Sequence, residues 1–136
     1  MIIKEFISET NKNQMISILL KHYKVGSVKV KLKSMKDYAH FDVDRGELQL
    51  SSRYKSIQTP QIKEFLITII HEIDHARDAK KYGWRKFKDM YELEMNYRIS
   101  KGQHEYDDNK YEIKAENFGQ KNWKKWFKIF KKQELF

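Results

Sequence analysis

The segment from Thr59 to Gly83 constrains the fold more than any other part of the chain. Ile62, Phe65, Leu66, Ile69, Ile70 and Ile73 recur three and four residues apart, so they form one apolar stripe along a helix. Thr59-Pro60 reads as the start of that helix, with Thr59 as N-cap and Pro60 at the first helical position. Tyr82 is the last helical residue before Gly83. A stripe of this kind must be buried against other elements of the same chain.

Those elements are readable on both sides. Ser8 to Tyr23 has Met15, Ile16, Leu19, Leu20 and Tyr23 near helical spacing, and Gly26 is its expected stop. Val28, Val30 and Leu32 alternate with lysines, the pattern of a half-exposed strand. Tyr38–Val43 and Glu47–Ser51 read as two further strands joined by the tight-turn sequence Asp44-Arg45-Gly46. Trp84 to Ser100 reads as a third helix, and Lys110 to Lys132 as a last one after the polar stretch Gly102–Asn109. The expected class is α+β: an N-terminal helix, a small sheet of three strands or more, the striped helix, then two further helices. With 136 residues and no Gly/Pro-rich linker, residues 1–136 are expected to form a single domain.

The striped helix also carries His71-Glu72-Ile73-Asp74-His75. Residues i and i+4 share a helix face, so the two imidazoles can converge on one metal ion. Glu72 projects beside them, within reach of an activated water without being a ligand, and suits the role of general base. With five His and eleven Glu in the chain, a chance match to this spacing is expected in only about 1.4% of such compositions. The chain has no cysteine, so the metal, expected to be one Zn2+ per chain, must be held by His and carboxylates.

A catalytic zinc site needs a third protein ligand. On the last helix Lys114, Lys121, Lys124, Lys128 and Lys131 occupy one side and Tyr111, Ala115, Phe118, Trp123, Trp126 and Phe130 the other. Glu112 falls on the apolar side with Glu116 next to it, and a carboxylate buried there is costly unless paired or bound to metal. Glu112 is therefore the first choice. Glu94 comes second, with Arg98 at i+4 offering an internal ion pair instead. His104, in the polar stretch, comes third.

His71-Glu72-x-x-His75 followed by Glu112-Ile113-Lys114-Ala115-Glu116-Asn117-Phe118-Gly119 resembles the gluzincin branch of the zincin metallopeptidases, and is similar to minimal gluzincins and the ImmA/IrrE type. The resemblance covers roughly Val28 to Phe118. It implies a zincin-like fold, a Glu ligand on a later helix, and small residues where that helix meets the active-site helix. It also implies an acidic residue four positions after the ligand; the family usually has Asp where this chain has Glu116. The implied activity is hydrolysis of a peptide or protein substrate by zinc-activated water, the substrate pairing as an extended strand with Tyr38–Val43 or Glu47–Ser51. Glu116, or else Asp74 or Asp78, would orient a ligand imidazole, and Tyr111, Tyr106 and His104 are candidates to stabilise an oxyanion.

Charge supplies the alternative. The net charge is +9, which suits a basic nucleic-acid- or protein-binding protein on the same fold, with a structural or vestigial metal site. The surplus is 23 Lys against 5 Arg, and bidentate recognition prefers Arg, so a solvated lysine surface is the favoured reading. Asn122 to Lys132 is amphipathic, cationic and aromatic, consistent with a core helix, a membrane-surface helix or a nucleic-acid contact. Gln133–Phe136 is placed where a self-inhibiting plug would sit. Met1–Glu5 turns charged at Lys4 and shows no apolar signal-peptide core, and the apolar run near Phe65–Ile70 is too short to span a bilayer, so a cytoplasmic location is expected.

Overall fold

The apolar stripe becomes the axis around which the other elements pack. The computed structural model describes residues 6–136; residues 1–5, read above for a leader, lie outside the described residues. The class is α+β. In order, the elements are β1 (Phe6–Ile7), α1 (Glu9–His22), β2 (Lys29–Lys33), β3 (Ala39–Asp42), β4 (Glu47–Ser51), β5 (Ile57–Gln58), α2 (Ile62–Tyr82), α3 (Trp84–Ser100) and α4 (Lys110–Lys132). Short 3-10 turns cover Ser52–Lys55 and Thr59–Gln61. No described helix is long and apolar enough to cross a membrane.

The three expected strands form one sheet of order β2-β4-β3, with β2 parallel and β3 antiparallel to β4. A second, two-stranded sheet pairs β1 with β5, through short segments that carry no alternation to betray them. The β3–β4 turn closes on Gly46 at φ +59°, while Asp42 Oδ1 accepts the Arg45 amide at 3.1 Å. β2 is more exposed than its alternation suggested. Only Val28, just ahead of it, is buried; Val30 and Lys29, Lys31 and Lys33 all face water, as suits an edge strand guarded by lysines.

Two helix ends differ from the sequence reading. α1 is capped by Ser8, whose Oγ accepts the Asn11 amide at 3.1 Å, and ends at His22, within one residue of the expected Tyr23, but Gly26 is not the residue that closes it. Lys24 takes the left-handed turn at φ 61°, with Val25 N–H donating to Leu20 O and Lys24 N–H to Lys21 O. This is a Schellman closure, and burial of Val25 beside Leu20 holds a lysine where glycine is usual. Thr59 is not the N-cap of α2. A 3-10 turn precedes the helix, and its end is tied by Gln61 Oε1 accepting the Gln58 amide at 2.8 Å.

The core gathers Met15, Leu19, Leu48, Leu50, Ile57 and the whole α2 stripe, joined by Trp126 and Phe130 of α4. α2 and α4 approach very closely at Gly119. A Cβ there would lie 2.9 Å from the Ile67 carbonyl oxygen, so only glycine permits the spacing. Ala115, one turn earlier on α4, is fully buried. α4 ends in a second Schellman closure, with Glu134 at φ 58° and Leu135 N–H donating to Phe130 O. Leu135 is buried and Phe136 packs on Phe127, so Gln133–Phe136 folds onto its own helix and does not line the main cleft.

Candidate metal centre

α2 directs His71 and His75 to one face, as their i, i+4 spacing dictates, and α4 brings Glu112 against both. Nε2 of His71 and Nε2 of His75 each lie 2.8 Å from Glu112 Oε1. The three side chains are buried and their facing atoms all lie within 4.8 Å of one another, close enough that the group could hold a metal ion. Glu116, one turn after Glu112, accepts from His71 Nδ1 at 3.0 Å. His71 is thus held at both nitrogens by carboxylates.

The electrostatics follow from that packing. Burial alone would lower the His71 imidazole, but the bond to Glu112 and the charges of Glu72 and Glu112 outweigh it, and its pKa rises to about 9. Burial lowers His75 as well, but the hydrogen bond to Glu112 and the charges of Glu72 and Glu112 outweigh it and leave its pKa raised. Glu112 is pushed up by burial and pulled down harder by hydrogen bonds from the two imidazoles, and ends well below the ordinary range. Glu72 is different. Burial dominates and raises it, opposed only by the charges of His75, His71 and, from β3, His40.

Glu112 is fixed from several sides. It lies in the first turn of α4, where the helix dipole favours a carboxylate. Asn109 caps that turn, accepting the Tyr111 amide at 2.9 Å. The Tyr91 hydroxyl of α3 donates to Glu112 Oε2, and the Tyr91 ring stacks on Tyr111. Tyr91 was missed in the sequence, since nothing in the periodicity of α3 distinguishes it from an ordinary core aromatic.

The rival residues go elsewhere. Glu94 accepts from Arg98 Nε at 2.8 Å and from the Lys110 amide at 2.8 Å, so it caps α4 and does not face the imidazoles. His104 lies on the cleft wall, its Nδ1 accepting the amides of Tyr106 and Asp107 at 3.1 and 3.0 Å. Asp74 and Asp78, weighed as partners of a ligand imidazole, instead both bind Lys114 Nζ, at 2.7 and 2.9 Å. That pair lines a separate groove and not the cleft, a correction set by Lys114 of α4 and not by helical phase, since Asp78 lies two turns after His71 on nearly the same line of α2. Of the three oxyanion candidates, Tyr106 and His104 line the cleft and Tyr111 does not.

The cleft over the site is broad, about 1220 Å³, and its other wall is β3 with the segment before it, including Tyr38, His40 and Phe41. Glu72 Oε2 and His75 Nδ1 are buried there without a hydrogen-bond partner. Two imidazole nitrogens and a carboxylate oxygen are a fitting donor set for zinc, and an unpaired carboxylate oxygen beside them fits a site that handles a further molecule. No protein-family model, curated protein or solved structure matches this chain.

Proposed function

We infer that this chain is a zinc-dependent peptidase with a zincin-like fold of the gluzincin type, holding one zinc ion per chain through His71, His75 and Glu112. The observation that carries the reading is the convergence of three donor atoms from α2 and α4, with the unpartnered Glu72 carboxylate beside them at the floor of an open cleft. Zinc bound there supplies Lewis-acid polarisation of the scissile carbonyl and lowers the pKa of an attacking water.

The chain's own residues do the remaining work. Glu116 holds the His71 ring through Nδ1, and Tyr91 holds the Glu112 carboxylate. The free edge of β3 offers main-chain pairing to an extended peptide along the cleft wall. Glu72 accepts a proton from water as the C–O bond forms and returns it to the leaving nitrogen as the C–N bond breaks. Burial raises its pKa toward the range that suits this exchange. Tyr106, half-exposed on the cleft wall and held as a phenol by its partial burial and the nearby Glu112 and Glu72 carboxylates, is the donor assigned to the carbonyl oxygen.

A purely structural or vestigial site is less well supported, because structural zinc sites are closed by four protein ligands and this group faces a cleft. The test is Glu72→Gln, which removes the base and keeps the ligands. The variant should retain zinc while cleavage of an unstructured protein such as casein falls by about 10²–10⁴-fold. Cleavage within a few-fold of wild type would remove Glu72 as the base. A wild type that binds zinc and cleaves no peptide would favour the binding-protein reading.

A further inference from the structure

A second cavity, of about 720 Å³, opens on another flank of the α2–α4 pair and shares no lining residue with the cleft. Its basic lining is Lys24, Arg77, Lys80, Lys81, Lys114 and Lys121, against only Asp74 and Asp78. Both aspartates are taken by Lys114, and Arg77 is 3.7 Å from Asp74. Lys24, Lys80, Lys81 and Lys121 have no ion-pairing carboxylate among the described residues, so this groove carries a concentrated surplus of positive charge. The cleft over the metal centre is the reverse, with eight carboxylates against three Lys or Arg. The charges are segregated, so a polyanion is drawn to one face and repelled from the other.

We propose that this groove binds the sugar–phosphate backbone of a single-stranded nucleic acid. The lysines neutralise phosphates, and the groove extends into a ridge. On α4, Lys114, Lys121, Lys125, Lys128 and Lys132 fall within a narrow arc of one helix face, all exposed, over about 27 Å. Within the groove the Arg77 guanidinium lies over the Phe118 ring at 4.7 Å and near Tyr23 at 5.6 Å. A guanidinium plane backed by aromatic rings is a surface on which an unpaired base stacks. The preponderance of Lys over Arg suits this sequence-independent mode, in which phosphates are read as charge and base edges are not.

A bilayer surface fits less well. The large apolar residues exposed among the described ones include none that lines this groove. The aromatics of α4 turn inward, with Trp126 and Phe130 buried and Trp126 Nε1 donating to Tyr23 OH at 2.9 Å. Among the described residues, no exposed large apolar side chain lines this groove to act as a wedge into lipid. The proposal is independent of peptidase activity.

Fluorescence anisotropy with a labelled oligothymidylate tests it on the full chain. With four unpaired lysines engaged, affinity should fall about 50-fold between about 50 mM and about 200 mM salt. Charge reversal by Lys80→Glu, Lys81→Glu and Lys121→Glu together should weaken low-salt binding by more than about tenfold and flatten the salt slope. The matched triple Lys29→Glu, Lys31→Glu and Lys33→Glu on β2, with the same net charge, should stay within about threefold of wild type. Should the groove triple melt early, the Lys→Gln triple and Arg77→Lys replace it. Equal loss in both triples would overturn the proposal. So would preferential binding of phosphatidylserine vesicles through the same lysines, or competition by polyglutamate as effective as unlabelled oligonucleotide.

Discussion

Gly119 of α4 lies against the backbone of Ile67 of α2, with no room for a methyl group between them: a Cβ would meet the Ile67 carbonyl oxygen at 2.9 Å and its Cγ2 at 3.2 Å. Glu112 sits two turns earlier on the same face of α4, so the spacing set at Gly119 also sets how far Glu112 reaches toward the imidazoles. Gly119→Ala gains about 1 kcal/mol of helix propensity. A backbone oxygen cannot rotate away, however, and overpacking costs about 1–3 kcal/mol, so the clash should win. The expected result is a lower melting temperature and zinc affinity weakened by about tenfold or more, read by competition with a chelator. Unchanged zinc affinity would separate Glu112 from the α2–α4 contact.

Stability should depend on pH in opposite ways with and without metal. The His71 pKa rises from 6.5 to about 9 on folding, so its pairing with Glu112 stabilises the metal-free protein fully below pH 6.5 and is lost as pH climbs through 9. Glu112, depressed from 4.5, contributes above pH 4.5 and loses its contribution only in strong acid. Zinc requires both imidazoles deprotonated at Nε2, so its affinity should increase across the same window, with protons released on binding. Melting curves with and without zinc should diverge steadily from pH 6.5 to 9. A zinc-induced shift that does not vary with pH would show that His71 is not a ligand.

Glu112 and Glu94 should behave differently when neutralised. Glu112→Gln should abolish most of the zinc-induced rise in melting temperature, since a ligand stabilises only the state that binds it. Glu94→Gln loses the charge that pairs with Arg98 and caps α4 at Lys110, so it should lower stability by about 1–2 kcal/mol and keep the zinc-induced rise. The reverse outcome would exchange their roles.

Lys114 holds two buried aspartates, and its removal should be felt away from the metal. Lys114→Met leaves Asp74 and Asp78 without their shared partner and should cost about 1–3 kcal/mol, with zinc stoichiometry intact. Adding Asp78→Asn to Lys114→Met should recover part of the loss. A double variant no more stable than the single one would show that the aspartates are solvated without Lys114.

The parts legible in the sequence are those set within one helix. The positions of His71, Glu72 and His75, the stripe behind them, the placing of Glu112 on the buried side of α4, and Glu116 one turn after it all follow from a period of 3.6 residues. What remained hidden depends on other elements. Tyr91 and His40 reach the site from α3 and β3, and no local pattern marks them. Lys114 was assigned to the solvent side of α4, yet α2 supplies Asp74 and Asp78 to meet it. Lys24 replaced Gly26 as the closing residue of α1 because burial of Val25 outweighs the strain of a left-handed lysine. β1 and β5, two residues each, are too short to carry a period.

Zinc content is the most direct measurement of the metal centre. Protein purified without added metal, then equilibrated with zinc and desalted, should carry about one zinc per chain by elemental analysis, the stoichiometry of a site with three protein ligands. His71→Ala and His75→Ala, with folds verified by circular dichroism, should carry almost none. Full occupancy in either variant, or no zinc in the wild type after equilibration, would contradict a metal centre built on His71, His75 and Glu112.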